Sequence, residues 1–166
     1  MYITLKAMVI LALGLAVGGC AFFGSQETPV DFWQPVLSPN GEFLAYVAKG
    51  AKSYNLFLLN LSTGQERAVV ETDQDVVCPS WSPDGTKLAY MTVQEKDNWD
   101  IFTVDVATGQ VFRVTADPAA DVNPSWTTTG VIVFNSNRGG NWGAYAVNPD
   151  GTGLRKLSFD RPQDKG

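Results

Sequence analysis

The sequence predicts an all-β protein made of β-propeller blades, three four-stranded antiparallel repeats, the content of half a six-blade ring. Three observations predict it. Pro35, Pro79 and Pro124 recur at spacings of 44 and 45 residues, and a period of about 40–45 is the signature of four-stranded blades. The turn Ser38-Pro39-Asn40-Gly41 returns as Ser82-Pro83-Asp84-Gly85. Beyond the N-terminal apolar run, no stretch carries a helical period, whereas short alternating runs recur.

Each blade can be walked in order. The first strand ends at Leu37, Trp81 or Trp126. The turn follows: Pro sets φ, Asn or Asp bonds back to the backbone, and Gly takes a positive φ. In the third copy, Thr127-Thr128-Thr129-Gly130, only the Gly remains. The second strands are EFLAYVA, KLAYMTV and VIVFNS. The third are NLFLLNL at 55–61, DIFTVDV at 100–106 and GAYAVN at 143–148. A turn at Thr63-Gly64, Thr108-Gly109 or Asp150-Gly151 leads to the fourth, ERAVV, VFRVT or LRKLS. Trp81 and Trp126 are expected in the core.

The N-terminus reads differently. Lys6 precedes an apolar run from Ala7 to Val17, then Gly18, Gly19 and Cys20. The run is shorter than the roughly 20 residues a membrane-spanning helix needs, and charge, short apolar run and small residues in that order mark a secretory leader. Val17-Gly18-Gly19-Cys20 resembles the lipobox of bacterial lipoproteins. The resemblance implies that Cys20 becomes the lipid-carrying N-terminus and that two or three acyl chains anchor the protein, since one chain holds only marginally. Residues 1–19 are then the signal peptide, 20–31 the lipidated cysteine and a tether, and 32–166 the three-blade domain. With Cys20 lipidated, Cys78 has no partner within the chain and no internal disulfide forms. Cys78 reads as a small buried hydrophobe, with a reactive thiol as the sharper alternative. Ala21 is not the Asp that resembles an inner-membrane retention signal, which in a two-membrane cell points to the outer membrane, facing the periplasm.

Trp81-Ser82-Pro83-Asp84-Gly85 followed by Leu88-Ala89-Tyr90 resembles the repeat of the TolB-like (WD-like repeat) β-propeller family. Ser136 to Ser158, SNRGGNWGAYAVNPDGTGLRKLS, is similar to the second half of that repeat. The likeness runs from about Gln34 to Ser158 and implies the fold; propellers host many functions.

Three blades fall short of the 4–8 that close a propeller, and an open arc exposes two apolar blade faces. Two copies related by a two-fold axis would close a six-blade ring as a homodimer. A partner protein completing the ring, or a shortened remnant of a longer propeller, are the alternatives.

The candidate binding face is built by the loops between second and third strands, KGAKSYN, QEKDNW and NRGGNW. They set Tyr54, Trp99 and Trp142 at one equivalent position, an aromatic anchor on each blade or a residue packed on its own blade. Asn98 and Asn141 precede the two tryptophans, where turn geometry also accounts for them. Arg138 matches an arginine frequent in TolB-like repeats and reads as a structural ion pair or a ligand clamp. Asp73, Asp75, Glu95, Asp97, Asp117 and Asp121 share the loop face. Their spacing matches no calcium loop, so they read as solvated acids, with no metal and no cofactor expected.

The chain has no His, which removes the Ser-His-Asp triad and His-ligated metals; no catalytic residues are expected. Loss of the leader takes away Lys6 and no acid, leaving 11 Lys and Arg against 17 Asp and Glu, a net charge of −6. That balance argues against a nucleic-acid partner. The function expected is a non-enzymatic, membrane-anchored scaffold for protein–protein interaction in the cell envelope; a glycan or small-ligand binder with an aromatic mouth is the alternative.

Overall fold

The chain, in a computed structural model, is described over residues 32–95 and 98–157. Cys20, the leader and the tether lie outside the described residues, as do Asp97 and the side chain of Glu95. The twelve described strands fall into three four-stranded sheets. β1 (Phe32–Leu37), β2 (Phe43–Lys49), β3 (Tyr54–Asn60) and β4 (Glu66–Val70) form blade 1. β5 (Val76–Trp81), β6 (Lys87–Glu95), β7 (Asn98–Asp105) and β8 (Val111–Arg113) form blade 2. β9 (Asp121–Trp126), β10 (Ile132–Ser136), β11 (Gly143–Val147) and β12 (Arg155–Lys156) form blade 3. Neighbouring strands are antiparallel and follow chain order in every blade. No helix occurs among the described residues.

In each blade the turn between the first and second strands holds because of side chains rather than Gly alone. In blade 2 the Ser82 hydroxyl donates to Asp84 at 2.7 Å and accepts the Lys87 N–H at 2.9 Å. The Ser82 hydroxyl, then Thr86, hold the Asp84 carboxyl below the usual carboxylate range. Ser38 and Asn40 repeat the arrangement in blade 1. Blade 3 builds it from threonines. Thr127 and Thr129 hydroxyls meet at 3.0 Å, and Thr127 accepts the Val131 N–H at 3.1 Å. Gly130, at φ +80°, closes that turn, a conformation costing any other residue about 1–2 kcal/mol.

The fourth strands of blades 2 and 3 are shorter than the sequence suggests. In blade 2 the reason is local. Thr115 Oγ1 accepts the Ile101 N–H at 3.0 Å, while the Val114 and Thr115 N–H groups both turn to the Ile101 carbonyl. A side chain has replaced the ladder there.

Two apolar clusters lie between blades. Ala45, Leu56, Leu58 and Val70 of blade 1 meet Val76, Leu88, Tyr90 and Val104 of blade 2. Val77, Cys78, Ala89, Met91, Ile101 and Val114 of blade 2 meet Ile132, Phe134, Tyr145 and Val147 of blade 3. Strand alternation explains both, since each central blade buries opposite faces against opposite neighbours. Trp81 and Trp126, expected in the core, are half-buried and pack at the margins of these clusters. The Trp81 indole N–H also donates across to the Val36 carbonyl at 3.1 Å.

Candidate functional site

The three first strands are the innermost, β5 lying between β1 and β9. Each carries a bulge at the repeat proline, where two residues oppose one on the second strand. The residue before that proline is Gln34, Cys78 or Asn123, and all three sit in the left-handed region at φ 53°, 56° and 56°. Sequence rules place a residue before proline in extended backbone, and left-handed φ for a non-Gly residue stores about 1–3 kcal/mol and clusters at functional sites. The bulge re-aims these side chains so that they meet. Gln34 Oε1 accepts the Cys78 N–H at 2.6 Å, and its Nε2 lies 3.7 Å from Cys78 Sγ. Cys78 Sγ lies 3.6 Å from Asn123 Oδ1, and the Asn123 N–H points at Met91 Sδ, 3.3 Å away. The axial end of the arc is thus a neutral relay of amide, sulfur and amide. It offers both donors and acceptors and no net charge, which suits peptide, amide or hydroxyl groups.

Sequence reasoning passed over Gln34 and Asn123. Their signal was their shared place one residue before each repeat proline. Cys78 is buried as expected, at 3% exposure. It is also disulfide-bonded, which corrects the expectation of no bridge. Its partner lies outside the described residues, and the chain's one other cysteine is Cys20. A sulfur bearing a lipid thioether cannot also bridge, so the two fates of Cys20 exclude each other.

The loop rim carries the aromatics, but in three different settings. Tyr54 starts β3, is 36% exposed and meets Trp33 edge to face at 5.5 Å. Its N–H donates to Asp75 at 2.9 Å. Trp99 is half-buried against the cluster between blades 2 and 3. Trp142 stands 59% exposed before β11. The inner-strand neighbours differ only for Tyr54. Trp33 backs Tyr54, while the matching positions are Val77 and Val122. Asn98, with its amide turned to donate, ties the carbonyls of Asp117 and Ala119 at 3.1 and 2.8 Å. That holds the fourth-to-first loop in place. Asn141 is exposed.

Arg138 is engaged on every side. It reaches Asp117 at 2.7 Å, Asp121 at 2.6 Å and the Ser136 hydroxyl at 2.9 Å. Its guanidinium lies 5.5 Å from the Phe134 ring centroid and 5.2 Å from that of Tyr145. Asp121 is therefore no solvated acid: it is fully buried, because Arg138 supplies the countercharge. Blade 2 has a matching pair, Arg113 on buried Asp100 at 2.5 Å. Burial pushes the Asp100 carboxyl above the usual carboxylate range, against the pull of Arg113. Asp73 pairs with Lys52 at 2.9 Å on the surface. Among the described residues no group of three acids, cysteines or histidines is placed to hold a metal ion.

The TolB beta propeller domain family matches residues 26–165 of the chain. Among solved structures, TolB from Acinetobacter baumannii is 27% identical with a TM-score of 0.68, covering 78% of this chain and 32% of its own. A protein described as putative TolB from Agrobacterium tumefaciens is 25% identical with a TM-score of 0.65, covering 74% of this chain and 44% of its own. An oligogalacturonate lyase in complex with manganese shares the fold at 20% identity, with a TM-score of 0.63 over 75% of this chain and 39% of its own. The chain thus spans less than half the length of each of these proteins.

Proposed function

Since the chain belongs to the TolB β-propeller family, we propose that it is a non-enzymatic scaffold for protein–protein contacts, held in the bacterial envelope by a lipid on Cys20 in the form of the chain whose Cys20 is not bridged to Cys78. Residues 1–19 are its leader, 20–31 its tether and 32–166 the blades, which face the periplasm from the outer membrane. The observation that carries the scaffold reading is Trp142, a large aromatic 59% exposed on the loop rim. Exposed aromatics of this kind anchor protein partners. The neutral axial relay of Gln34, Cys78 and Asn123 supports it, offering amide chemistry rather than a charged ligand site. Enzyme chemistry is disfavoured by a sequence without His. The same Trp142, with Tyr54, favours a second reading, stacking on a sugar ring.

Photo-cross-linking at the rim separates them. The full chain in its membrane should yield discrete adducts with envelope proteins, lost at least fivefold on Trp142→Ala and Tyr54→Ala. Binding of soluble glycans lost in those variants, with no protein adducts, would replace the scaffold by the glycan reading.

The anchor has its own test. Cys20→Ala should move the protein from the membrane fraction to the soluble fraction and remove metabolic labelling by a fatty acid. Wild-type protein that is unlabelled and carries a reducible Cys20–Cys78 bridge would overturn the anchor.

A further inference from the structure

Blade 1 and blade 3 each have a face on which no described sheet packs. On blade 1, alternation puts Leu44, Phe57 and Leu59 opposite the face that meets blade 2. Leu37 and Leu61 flank them at 56% and 37% exposure. The repeat says what such a face is for. Leu37 corresponds to Trp81 and Leu61 to Val106, and both of those pack into the cluster between blades 1 and 2. The stacked pair Tyr46–Phe57, at 5.9 Å, corresponds to Tyr90–Phe102 at 5.6 Å, which also packs there. Blade 1 therefore presents the surface that, in blades 2 and 3, a preceding blade covers.

Blade 3 presents the complementary surface. Its face away from blade 2 carries Val133, Asn135, Ala144 and Ala146. These correspond to Ala45, Val47, Leu56 and Leu58, the blade 1 residues on the side facing blade 2. One polar contact of the blade 1–blade 2 interface has a matching donor on blade 3, although blade 2 carries Phe112 at that position. Arg67, opposite Leu58 on β4, donates to the Val106 carbonyl of blade 2 at 2.5 Å. Arg155, opposite Ala146 on β12, holds the matching place. The carbonyl that matches Val106 in blade 1 is that of Leu61, at the exposed edge.

We propose that these two faces are the halves of one blade-to-blade interface, formed between two copies of this chain. Blade 3 of each copy covers blade 1 of the other, Arg155 reaches the partner's Leu61 carbonyl, and six blades close a ring. The occupant is a second copy because the chain already contains this interface twice, between its own blades. Each copy offers both halves, so a two-fold pair leaves neither face open. This goes beyond the scaffold reading: rim contacts at Trp142 and ring closure can fail separately.

The test uses the full chain in detergent with a photo-cross-linking residue at Leu61. The expected product has twice the mass of the processed chain, and the cross-linked peptide comes from β10 to β12 of the other copy. Asn135→Arg, at an exposed position of blade 3, should lower the yield at least tenfold, while its urea midpoint matches that of the wild type measured at concentrations too low for association. An adduct within one chain, one mapping to blade 1 of a second copy, or one to a different protein would overturn the proposal. So would a dimer adduct that survives Asn135→Arg.

Discussion

Replacing Arg138 by methionine is expected to destabilise the protein by about 3–5 kcal/mol, the cost of leaving a buried charge uncompensated. Asp121 is fully buried, and its compensation is one-sided. Oδ2 meets Arg138 at 2.6 Å, while Oδ1 has no hydrogen-bond partner among the described residues. Methionine fills much of the space of the arginine stem but carries no donor. The loss is then electrostatic, with smaller contributions from Asp117 and from the Phe134 and Tyr145 ring faces, together about 1 kcal/mol or more. The double substitution Arg138→Met with Asp121→Leu should recover most of the stability, since an apolar pair removes the need for a countercharge. Urea denaturation of the four proteins of this cycle measures the coupling directly. A loss below about 1 kcal/mol for Arg138→Met alone would mean that Asp121 finds water or another donor. It would then return Arg138 to the pool of ligand-binding residues.

This pair also shows where the sequence stops being legible. The blades were readable because backbone constraints repeat with the chain: proline, Asx residue and glycine recur at fixed offsets, and strand alternation follows. Even the degenerate turn at Thr127-Thr128-Thr129-Gly130 keeps its geometry, because a threonine hydroxyl can replace serine and another can replace the acid. Asp121 was not readable. It stands where blade 2 has Val76 in an apolar cluster, and only the position of Arg138 turns a loop acid into a buried one. The axial residues were hidden for the opposite reason. Gln34, Cys78 and Asn123 differ in type, so no motif marks them, and the residue before proline is expected to be extended. The bulge overrides that preference in all three blades. The rim aromatics were found by offset, yet offset fixes only where the backbone puts them. Exposure differs with what each one meets: Tyr54 lies against Trp33, Trp99 against the cluster between blades 2 and 3, and Trp142 stands 59% exposed.

Ile101→Ala is expected to cost about 2–5 kcal/mol, the range for truncating a buried aliphatic side chain that leaves a cavity. Ile101 is at 0% exposure in the cluster joining blades 2 and 3. Its backbone is committed as well: its N–H goes to the Thr115 hydroxyl, and its carbonyl accepts from Val114 and Thr115. With both neighbours fixed in this way, β7 has little freedom to collapse into the space that opens, which places the loss in the upper half of the range. The corresponding residue in blade 1 is Leu56, equally buried between blades 1 and 2, and Leu56→Ala should cost a similar amount. In blade 3 the same position is Ala144, on the free face, where there is no aliphatic stem to lose. The contrast ties the energetics to blade contacts rather than to strand propensity. Urea unfolding of Ile101→Ala and Leu56→Ala would show one shared transition moved to lower denaturant if the three blades melt together. Two separated transitions in either variant would show instead that each inter-blade cluster holds only its own pair of blades, as expected for an array whose stability is a sum of neighbour contacts. A loss under about 1 kcal/mol in both would contradict the packing between the blades.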